Sequence, residues 1–331
     1  MRDHVVVTYL PDAQNREVIT RALEGVAQVS FAPDKGKSKR AGLIASADAL
    51  IGLSFSSVEV TPEEEAAMRN VRLIQTVYAG VEKVPFDRLP STTLVAGNAG
   101  AYAEPIAEHV LAIALALAKT IIPRHRELAQ GRFNRACCNK VLKRGVCGII
   151  GLGGNGTAVA GLMKAIGMLV WGVNRRGRTN APVAFIGTLT DLKKVLEAAD
   201  VVVITAPLTR QTANLIDAEK LAWMKTDALL VNVGRGEIIV QKDLYDHLRT
   251  YPDFGAGIDT WWSEPPDGGI FTPDYPFLGL PNLVGTPHNA DHVAGIATEA
   301  TRLAVANVKN FLEGKPVRGL ADPEDYIVRP K

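Results

Sequence analysis

Three side chains that together could reduce a carbonyl group each stand shortly after an apolar run that predicts a β-strand. They are Arg235, Glu264 and His288. A guanidinium binds a carboxylate, an imidazolium donates a proton to a carbonyl oxygen, and a carboxylate bonded to the imidazole favours its charged form near neutral pH. Singly, each residue is also compatible with a surface turn or a buried ring. Together they predict an active site that reduces a 2-keto acid by hydride transfer.

A glycine-rich loop indicates where the hydride donor binds. The strand Val146–Ile150 is followed by Gly151-Leu152-Gly153-Gly154-Asn155-Gly156 and then by a helical stretch. In a GxGxxG loop the first glycine permits a tight turn, the second lets the backbone approach a pyrophosphate, and the third lets helix and strand pack closely. The bare motif is weak, because many α/β proteins have glycine-rich turns. Its position between a strand and a helix predicts a dinucleotide site.

The end of the next strand selects the dinucleotide. Asn174 follows the loop by roughly the 20 residues at which a carboxylate usually binds the ribose of NAD. Here an amide is followed by Arg175 and Arg176, and guanidinium groups bind phosphate through paired donors. The sequence therefore predicts a preference for NADP(H), with NAD(H) possible. The alternative is a solvated basic turn. The missing carboxylate also argues against an S-adenosylmethionine site.

The segments that must position these residues alternate between strands and helices, which predicts an α/β protein with parallel sheets. A helix predicted over Glu104–Thr120, apolar around most of its circumference, separates two series of strands and is expected to be buried on several sides. The first series is predicted at residues 5–8, 26–31, 49–51, 73–76 and 94–96. The second is predicted at residues 146–150, 169–173, 201–205, 229–233 and 255–258, with a further apolar piece at 283–284.

Composition excludes several classes of protein. With 331 residues, 47% hydrophobic, and a net charge of +2, the chain predicts about two folded domains and no nucleic-acid partner. Its apolar runs are too short to cross a bilayer, and its amino terminus lacks a signal-peptide core, so no membrane contact and a cytoplasmic location are expected. Of three cysteines, Cys137 and Cys138 are adjacent but have no further ligand at metal-site spacing. No metal site is predicted. The basic run Lys35–Arg40 is predicted to be a solvated loop.

An ordered series of motifs resembles the D-isomer-specific 2-hydroxyacid dehydrogenases, which include glyoxylate and hydroxypyruvate reductases and glycerate and phosphoglycerate dehydrogenases. The similarity covers nearly the whole chain. Besides the glycine loop, it rests on Tyr78-Ala79-Gly80-Val81-Glu82, Ile106-Ala107-Glu108-His109, Ala206-Pro207-Leu208-Thr209, the segments around Arg235 and Asp259–Pro265, and Thr286-Pro287-His288.

The resemblance implies two Rossmann-like or flavodoxin-like domains with the active site in the cleft between them. Residues 1–98 with 290–331 would form the substrate domain and residues 99–289 the dinucleotide-binding domain, with a last helix near Ile296–Leu312. A homodimer joined through the long helix is expected. Arg235, Glu264 and His288 would be catalytic, and amides around Ala79, Gly80 and Val81 would bind the substrate carboxylate. Cofactor-binding residues would be Gly151, Gly153, Gly154, Asn155, Gly156, Asn174, Arg175, Arg176, Ala206, Pro207, Thr212, Val233 and Asp259.

The function predicted is NADP(H)-dependent reduction of a small 2-keto acid, such as glyoxylate or hydroxypyruvate, to the D-2-hydroxy acid. An alternative is a non-enzymatic dinucleotide-sensing protein of the same fold. Formate oxidation is disfavoured, because that branch resembles the family but has glutamine where this chain has Glu264. Departures from the family pattern are Ala103, Asn155 and the run Asn289-Ala290-Asp291-His292. Trp261 and Trp262 are compatible either with a pocket wall or with core.

Overall fold

The chain forms two compact α/β units in a computed structural model that describes residues 2–136 and 139–326, with only the backbone of residues 37 and 38. One unit contains residues up to Tyr102 together with residues from Val293 onward, and the other contains Ala103–His292. The sequence predicted the changes of domain a few residues earlier in both places. The roles of the two units as substrate and cofactor domains stay predictions.

The first unit is built on a five-stranded parallel sheet. In chain order its elements are β1 (Asp3–Val7), α1 (Ala13–Leu23), β2 (Ala27–Phe31), α2 (Lys37–Ala45), β3 (Ala49–Gly52), α3 (Pro62–Ala66), β4 (Leu73–Thr76) and β5 (Leu94–Ala96). The strand order is β2-β1-β3-β4-β5. Val5, Val6 and Val7 have no exposed surface, as expected for a parallel sheet covered on both faces. Strands covered in this way are largely apolar runs, as in β3, whereas the edge strand β2 is only partly buried and alternates apolar with polar residues.

The second unit is built on a seven-stranded parallel sheet. In chain order its elements are α4 (Ala103–Ala118), α5 (Ile121–Ala129), β6 (Val146–Ile150), α6 (Gly154–Ala165), β7 (Leu169–Val173), β8 (Phe185–Gly187), α7 (Leu192–Ala198), β9 (Val201–Ile204), α8 (Ala218–Trp223), β10 (Leu229–Asn232), α9 (Gln241–Thr250), β11 (Gly255–Ile258) and β12 (Leu283–Gly285). The strand order is β12-β11-β10-β9-β6-β7-β8. The order reverses between β6 and β9, where open α/β sheets bind ligands.

One strand of this sheet was missed from the sequence. β8 has three residues and lies at the edge of the sheet, paired only with β7 among the described strands. Its last residue, Gly187, packs against the Asp191 side chain, where a Cβ would overlap the carboxylate. A half-buried strand this short has too few apolar residues to stand out as a pattern.

The last helix, α10 (Ile296–Leu312), has the predicted bounds and belongs to the first unit. It packs on α1 and β4. Asn98 Nδ2 donates to the carbonyl oxygen of Ala300 at 2.8 Å, and Asn307 Nδ2 donates to Gln75 Oε1 at 2.6 Å. Buried amide bonds of this kind hold the returning helix against the sheet, because an unpaired polar group there would be costly.

The basic run Lys35–Arg40, expected to be a solvated loop, leads into α2 instead. Arg40 Nε lies 2.5 Å from Glu64 Oε1, and the Glu64 side chain is only 5% exposed. Glu64 also accepts from the Thr61 amide at the start of α3. The expectation was wrong for Arg40, because this guanidinium compensates a buried carboxylate that charge counting along the sequence cannot locate.

Within one copy of the chain, helix α4 is buried on one side, and burial of its other face against a second subunit stays a prediction. Val110, Ile113 and Ala114 are almost fully buried, whereas Leu115 on another face is 36% exposed. Glu108 and Ala112 are also exposed. Within the described residues, no single helix is both long and apolar enough to span a membrane. Only α4 and α5 together meet that criterion, as a pair bent by 59°.

Candidate active site

The first glycine of the loop after β6 is required by its backbone and by its neighbours. Gly151 has φ +99°, in the region that favours glycine. A Cβ at this position would lie 2.6 Å from the amide nitrogen of Ala206. The Thr205 hydroxyl donates to the Gly151 carbonyl oxygen at 2.5 Å. The ends of β6 and β9 are therefore in direct contact at the point where the strand order reverses.

The two later glycines have the different roles that a phosphate cradle needs. A Cβ on Gly156 would overlap the Gly151 carbonyl oxygen, so this glycine lets α6 pack against the loop. A Cβ on Gly153 would meet nothing within 4 Å. Gly153 precedes α6, and no side chain in the described chain caps this helix. The uncapped amides of Gly154 and Asn155 and the helix dipole suit an anion, so the residues present fit a dinucleotide pyrophosphate.

The residues expected to select the dinucleotide form a turn after β7. Asn174 Oδ1 accepts from the Arg176 amide, and its Nδ2 donates to the Arg178 carbonyl oxygen, both at 2.9 Å. The Asn174 amide thus shapes the turn, which the sequence did not anticipate. Arg175 and Arg176 have exposed side chains. The turn therefore carries two exposed arginines directly after Asn174, the position at which an NAD site usually has a carboxylate.

The remaining predicted cofactor residues after β9 and β10 are mostly structural in their contacts. The Thr212 hydroxyl donates to the Pro207 carbonyl oxygen at 2.6 Å and accepts from the Thr209 amide at 2.8 Å. The Val233 amide donates to the Ile204 carbonyl oxygen at 3.1 Å. Ala206 lies against Gly151. These residues therefore follow the carboxyl ends of the neighbouring strands β9 and β10, and Ala206 borders the glycine loop.

Arg235 is held at the end of β10 by its neighbours. Asn232, fully buried, donates from Nδ2 to the Arg235 carbonyl oxygen at 2.9 Å and accepts from the Gly234 amide at 3.0 Å. A Cβ on Gly236 would overlap the backbone of Trp261. The arginine is thereby placed beside the loop that carries Glu264. Asn232 is a positioning residue that the sequence analysis did not single out.

The predicted imidazole and carboxylate are in direct contact. His288 Nδ1 lies 2.8 Å from Glu264 Oε2, and the Trp261 amide donates to Glu264 Oε1 at 2.9 Å. The His288 side chain is 40% exposed. Because the carboxylate accepts, the imidazole carries a hydrogen on Nδ1, and its Nε2 is the nitrogen that can act on a substrate.

The electrostatics of this pair favour the charged forms. Burial would lower the pKa of His288, but the hydrogen bond and negative charge of Glu264 outweigh it and hold the pKa above its ordinary value. Burial would likewise raise the pKa of Glu264, but the hydrogen bond and positive charge of His288 lower it below its ordinary value. A general acid for reactions near neutral pH needs this arrangement.

A buried carboxylate fixes the turn that carries His288. Asp259 is 1% exposed and accepts from the Asn289 amide at 3.1 Å and from the Ala290 amide at 3.3 Å. Its carbonyl oxygen accepts from the His288 amide at 2.8 Å. His288 itself has φ +50°, which is rare outside glycine. The departures from the family pattern at Asn289 and Ala290 leave these backbone bonds possible, whereas Asp291 and His292 pair with each other at 2.7 Å.

The tryptophans after Asp259 belong to the core. Trp261 is 7% exposed and donates from Nε1 to the Thr286 carbonyl oxygen at 2.9 Å. Trp262 stacks on Phe277 and donates to the Ile239 carbonyl oxygen at 2.6 Å. Their satisfied N–H groups and aromatic contacts favour packing over a substrate-facing role.

The predicted carboxylate-binding loop follows β4 in the first unit. The Tyr78 carbonyl oxygen accepts from the Thr76 hydroxyl at 2.6 Å and from the Asn98 amide at 3.1 Å. A Cβ on Gly97 would overlap the Ala79 carbonyl oxygen. Val81 is buried, while Ala79 and Gly80 are half-buried. The turn is therefore rigidly supported, and its proposed binding of a carboxylate stays a prediction.

Two further predictions concern cysteines and metals. Cys137 and Cys138 lie outside the described residues. Among the residues that are described, no group of three or more His, Cys, Asp or Glu side chains is arranged to hold a metal ion. Cys147 is fully buried in β6, and burial raises the pKa of its thiol to about 12. That thiol is not a nucleophile at neutral pH.

Comparison with known proteins places the chain in a family. Residues 111–290 match the sequence profile described as "D-isomer specific 2-hydroxyacid dehydrogenase, NAD binding domain". A glyoxylate reductase of Korarchaeum cryptofilum is 28% identical over 290 residues, which are 86% of this chain and 85% of that protein. A crystal structure of a D-isomer specific 2-hydroxyacid dehydrogenase family protein from Aeromonas salmonicida is 29% identical, with a TM-score of 0.78 over 98% of this chain and 100% of that one.

The chain belongs to the D-isomer specific 2-hydroxyacid dehydrogenase family. Some relatives are longer: a D-3-phosphoglycerate dehydrogenase of Archaeoglobus fulgidus is 28% identical over 278 residues, which are 82% of this chain but only 52% of that protein. The chain thus spans about half the length of that relative.

Proposed function

We propose that this chain is an NADP(H)-dependent oxidoreductase that reduces a small 2-keto acid to the D-2-hydroxy acid, with glyoxylate and hydroxypyruvate as the expected substrates. The observation that carries the proposal is the 2.8 Å bond between His288 Nδ1 and Glu264 Oε2. It leaves Nε2 as the proton-donating nitrogen of an imidazolium that the carboxylate stabilises.

The residues of the site divide the tasks of this reaction between them. When bound, the reduced dinucleotide supplies a hydride to the carbonyl carbon. His288 donates the Nε2 proton to the carbonyl oxygen and keeps its Nδ1 proton on the Glu264 bond. Arg235 binds the substrate carboxylate and stabilises the negative charge that develops on the oxygen. Asp259 holds the turn that carries His288 through the amides of Asn289 and Ala290. Ala79, Gly80 and Val81 stay candidates for carboxylate binding through their backbone amides.

The pH dependence follows from the Glu264 contact. Reduction needs protonated His288, so its rate is high below the raised pKa and falls as pH rises through it. In Glu264→Gln the pKa of His288 drops, because the carboxylate charge that raised it is gone. We expect the alkaline limb of kcat/KM for reduction to move to lower pH, measured by NADPH absorbance across pH. Glu127→Gln, on α5, is the matched control, and an unmoved limb in Glu264→Gln would contradict this role.

The preference for NADP(H) rests on the turn after β7. It lacks a carboxylate, and it presents the exposed guanidinium groups of Arg175 and Arg176 on a loop ordered by Asn174. A 2′-phosphate is a dianion that such groups bind with paired donors. NAD(H) remains a possible second cofactor, because no acidic side chain is needed to bind its pyrophosphate.

Removing either guanidinium should impair the use of NADPH more than the use of NADH. For Arg175→Ala and Arg176→Ala we expect kcat/KM for NADPH to fall about 5- to 20-fold, since an exposed charge-assisted bond contributes roughly 1–2 kcal/mol. The value for NADH should change little. Arg126→Ala, on α5, is the matched control. A preference of the unchanged protein for NADH over NADPH would refute the assignment.

The substrate and the enzymatic role are tested together by a panel of 2-keto acids. We expect oxidation of NADPH with glyoxylate or hydroxypyruvate to exceed that with pyruvate or with bulky keto acids. Trp fluorescence, measured in parallel, reports binding of the dinucleotide. Binding without turnover of any acid would favour the alternative, a dinucleotide-sensing protein.

We also propose that the protein is a cytoplasmic homodimer. The exposed stripe Glu108, Ala112 and Leu115 on α4 supports a second copy, since an otherwise apolar helix is rarely left open to water on one face. Light scattering coupled to gel filtration gives the mass directly, and a mass near the 35.5 kDa of one chain would refute the dimer.

A further inference from the structure

Three polar side chains from three different elements meet beside the turn that carries His288. The Thr286 hydroxyl, just after β12, donates to Asp259 Oδ1, just after β11, at 2.6 Å. His109, on α4, lies with Nε2 3.1 Å from the Thr286 hydroxyl oxygen and 3.5 Å from Asp259 Oδ1. Its side chain is 22% exposed. None of the steps assigned to Arg235, Glu264 and His288 uses His109.

The fold brings His109 to this place through a glycine. Gly257 in β11 lies against Ile113 of α4, and a Cβ there would overlap the isoleucine side chain. His109 precedes Ile113 by one helical turn, about 6 Å along the helix. Asp259 follows Gly257 by two strand residues, about 6.6 Å along the strand. The close approach of helix and strand at Gly257 thus puts the imidazole level with the carboxylate.

The direction of each proton in this chain of bonds can be deduced. A threonine hydroxyl has one hydrogen, and Thr286 gives it to Asp259. Toward His109 the same oxygen can only accept, so His109 must carry a hydrogen on Nε2. The imidazole therefore fixes the rotation of the Thr286 hydroxyl, pointing its hydrogen at the carboxylate.

Asp259 connects the hydroxyl of Thr286 to the turn that carries the catalytic imidazole. Its two oxygens bind the amides of Asn289 and Ala290, and its own carbonyl oxygen binds the amide of His288. These bonds hold His288 at φ +50°, a conformation that persists in a non-glycine residue only when its surroundings enforce it. A shift of the carboxylate would move the turn, and the ring with it.

We propose that His109 is a positioning residue, which acts through Thr286 and Asp259 to hold His288 in line with Glu264 and the substrate carbonyl. This inference rests on the proposed reductase function for its kinetic consequence. The motif Ile106-Ala107-Glu108-His109 contains this histidine but gives it no role. His109 itself does not touch the substrate.

Two substitutions at His109 distinguish the loss of the hydrogen bond to Thr286 from the loss of the imidazole ring. Glutamine places an amide nitrogen where Nε2 stands and can still donate to Thr286, whereas asparagine is too short to reach. We expect His109→Asn to lower kcat about 10- to 100-fold, as misplacing a catalytic group does, with KM for NADPH nearly unchanged. His109→Gln should retain kcat within a few-fold. His125→Asn, the same substitution at an exposed histidine on α5, is the control.

A double-substitution cycle tests the route through Thr286. Thr286→Val removes the hydroxyl and should resemble His109→Asn, while Thr286→Ser should retain activity. If His109 acts through this hydroxyl, His109→Asn adds little to Thr286→Val, because interacting residues are not additive. Independent, multiplying losses in the double variant would overturn the proposal, as would full kcat in His109→Asn.

A measurement without substrate keeps this inference separate from the proposed function. The chain has six histidines, so the Nδ1–H signal of His288 can be assigned in the NMR spectrum of protein labelled with ¹⁵N-histidine by comparison with His288→Gln. We expect that signal to shift or broaden in His109→Asn and in Thr286→Val, but not in His109→Gln. An unchanged signal in all three would overturn the positioning role even if no keto acid were reduced. A shifted signal without turnover would refute the reductase function alone.

Discussion

His288→Gln is expected to lower kcat for 2-keto acid reduction by about 10²- to 10⁴-fold, which is the contribution of a well-placed general acid. The turn should keep its shape, because Asp259 holds it through backbone amides that the substitution does not change, but the amide of glutamine cannot deliver a proton to the developing alkoxide. The binding constant for NADPH, measured by Trp fluorescence, should change little because the glycine loop is untouched.

The same substitution at a histidine outside the site controls for the loss of an imidazole ring in general. His125→Gln, on the exposed part of α5, should leave kcat unchanged. If His288→Gln turned over keto acids as fast as the unchanged protein, His288 could not be the general acid, and another donor would have to be sought.

Arg235→Ala is expected to lower kcat/KM by about 10³-fold or more, since both the substrate carboxylate and the developing negative oxygen lose a charged partner. The kcat/KM of Arg235→Lys should lie between the values for Arg235→Ala and for the unchanged protein, because lysine keeps the charge but lacks the planar pair of donors. The loss should appear in KM for the keto acid as well as in kcat. This combination distinguishes Arg235 from His288, whose loss should appear chiefly in kcat.

The loop around Arg235 provides a control for misfolding. The Asn232 side chain binds the Arg235 carbonyl oxygen, not its guanidinium, so the backbone should survive truncation of the side chain. Thermal unfolding of Arg235→Ala should therefore stay within a few degrees of the unchanged protein. Normal kinetics with a keto acid in Arg235→Ala would show that the guanidinium has no part in the reaction.

Much of this architecture could be predicted from the sequence because parallel strands buried on both faces are continuous apolar runs. The strand β6, for example, has the predicted bounds, Val146–Ile150. The bond between His288 and Glu264 was predicted from chemistry alone: a general acid near neutral pH needs a partner, and the two residues follow neighbouring parts of the sheet. Residue patterns that follow from a strong physical constraint can therefore be recognised in the sequence alone.

What could not be predicted depends on contacts between distant segments. His109 and Thr286 are 177 positions apart and meet only because Gly257 lets α4 approach β11. Arg40 was predicted to be a solvated charge, whereas its guanidinium pairs with the buried carboxylate of Glu64. Neither spacing nor residue type indicates such pairs, since any histidine or arginine has many candidate partners along the chain.

Asn174 illustrates a third case, in which the place was predicted but the task was not. The sequence put an amide where a ribose-binding carboxylate usually stands, whereas the side chain binds its own turn on both sides. An asparagine hydrogen-bonds to its neighbours whenever the turn allows it. The two arginines, rather than the amide, therefore carry the prediction for the dinucleotide.

In the proposed reaction a guanidinium, an imidazolium and its carboxylate partner act together on a keto acid beside a bound dinucleotide. Its most direct test uses NADPH deuterated at both C4 positions of the nicotinamide, with glyoxylate and hydroxypyruvate offered separately and the products examined by mass spectrometry and, for glycerate, chiral chromatography. We expect one deuterium at C2 of each hydroxy acid for every NADPH consumed, with glycerate in the D configuration. Products without deuterium, L-glycerate, or bound NADPH that transfers nothing to either acid would contradict it.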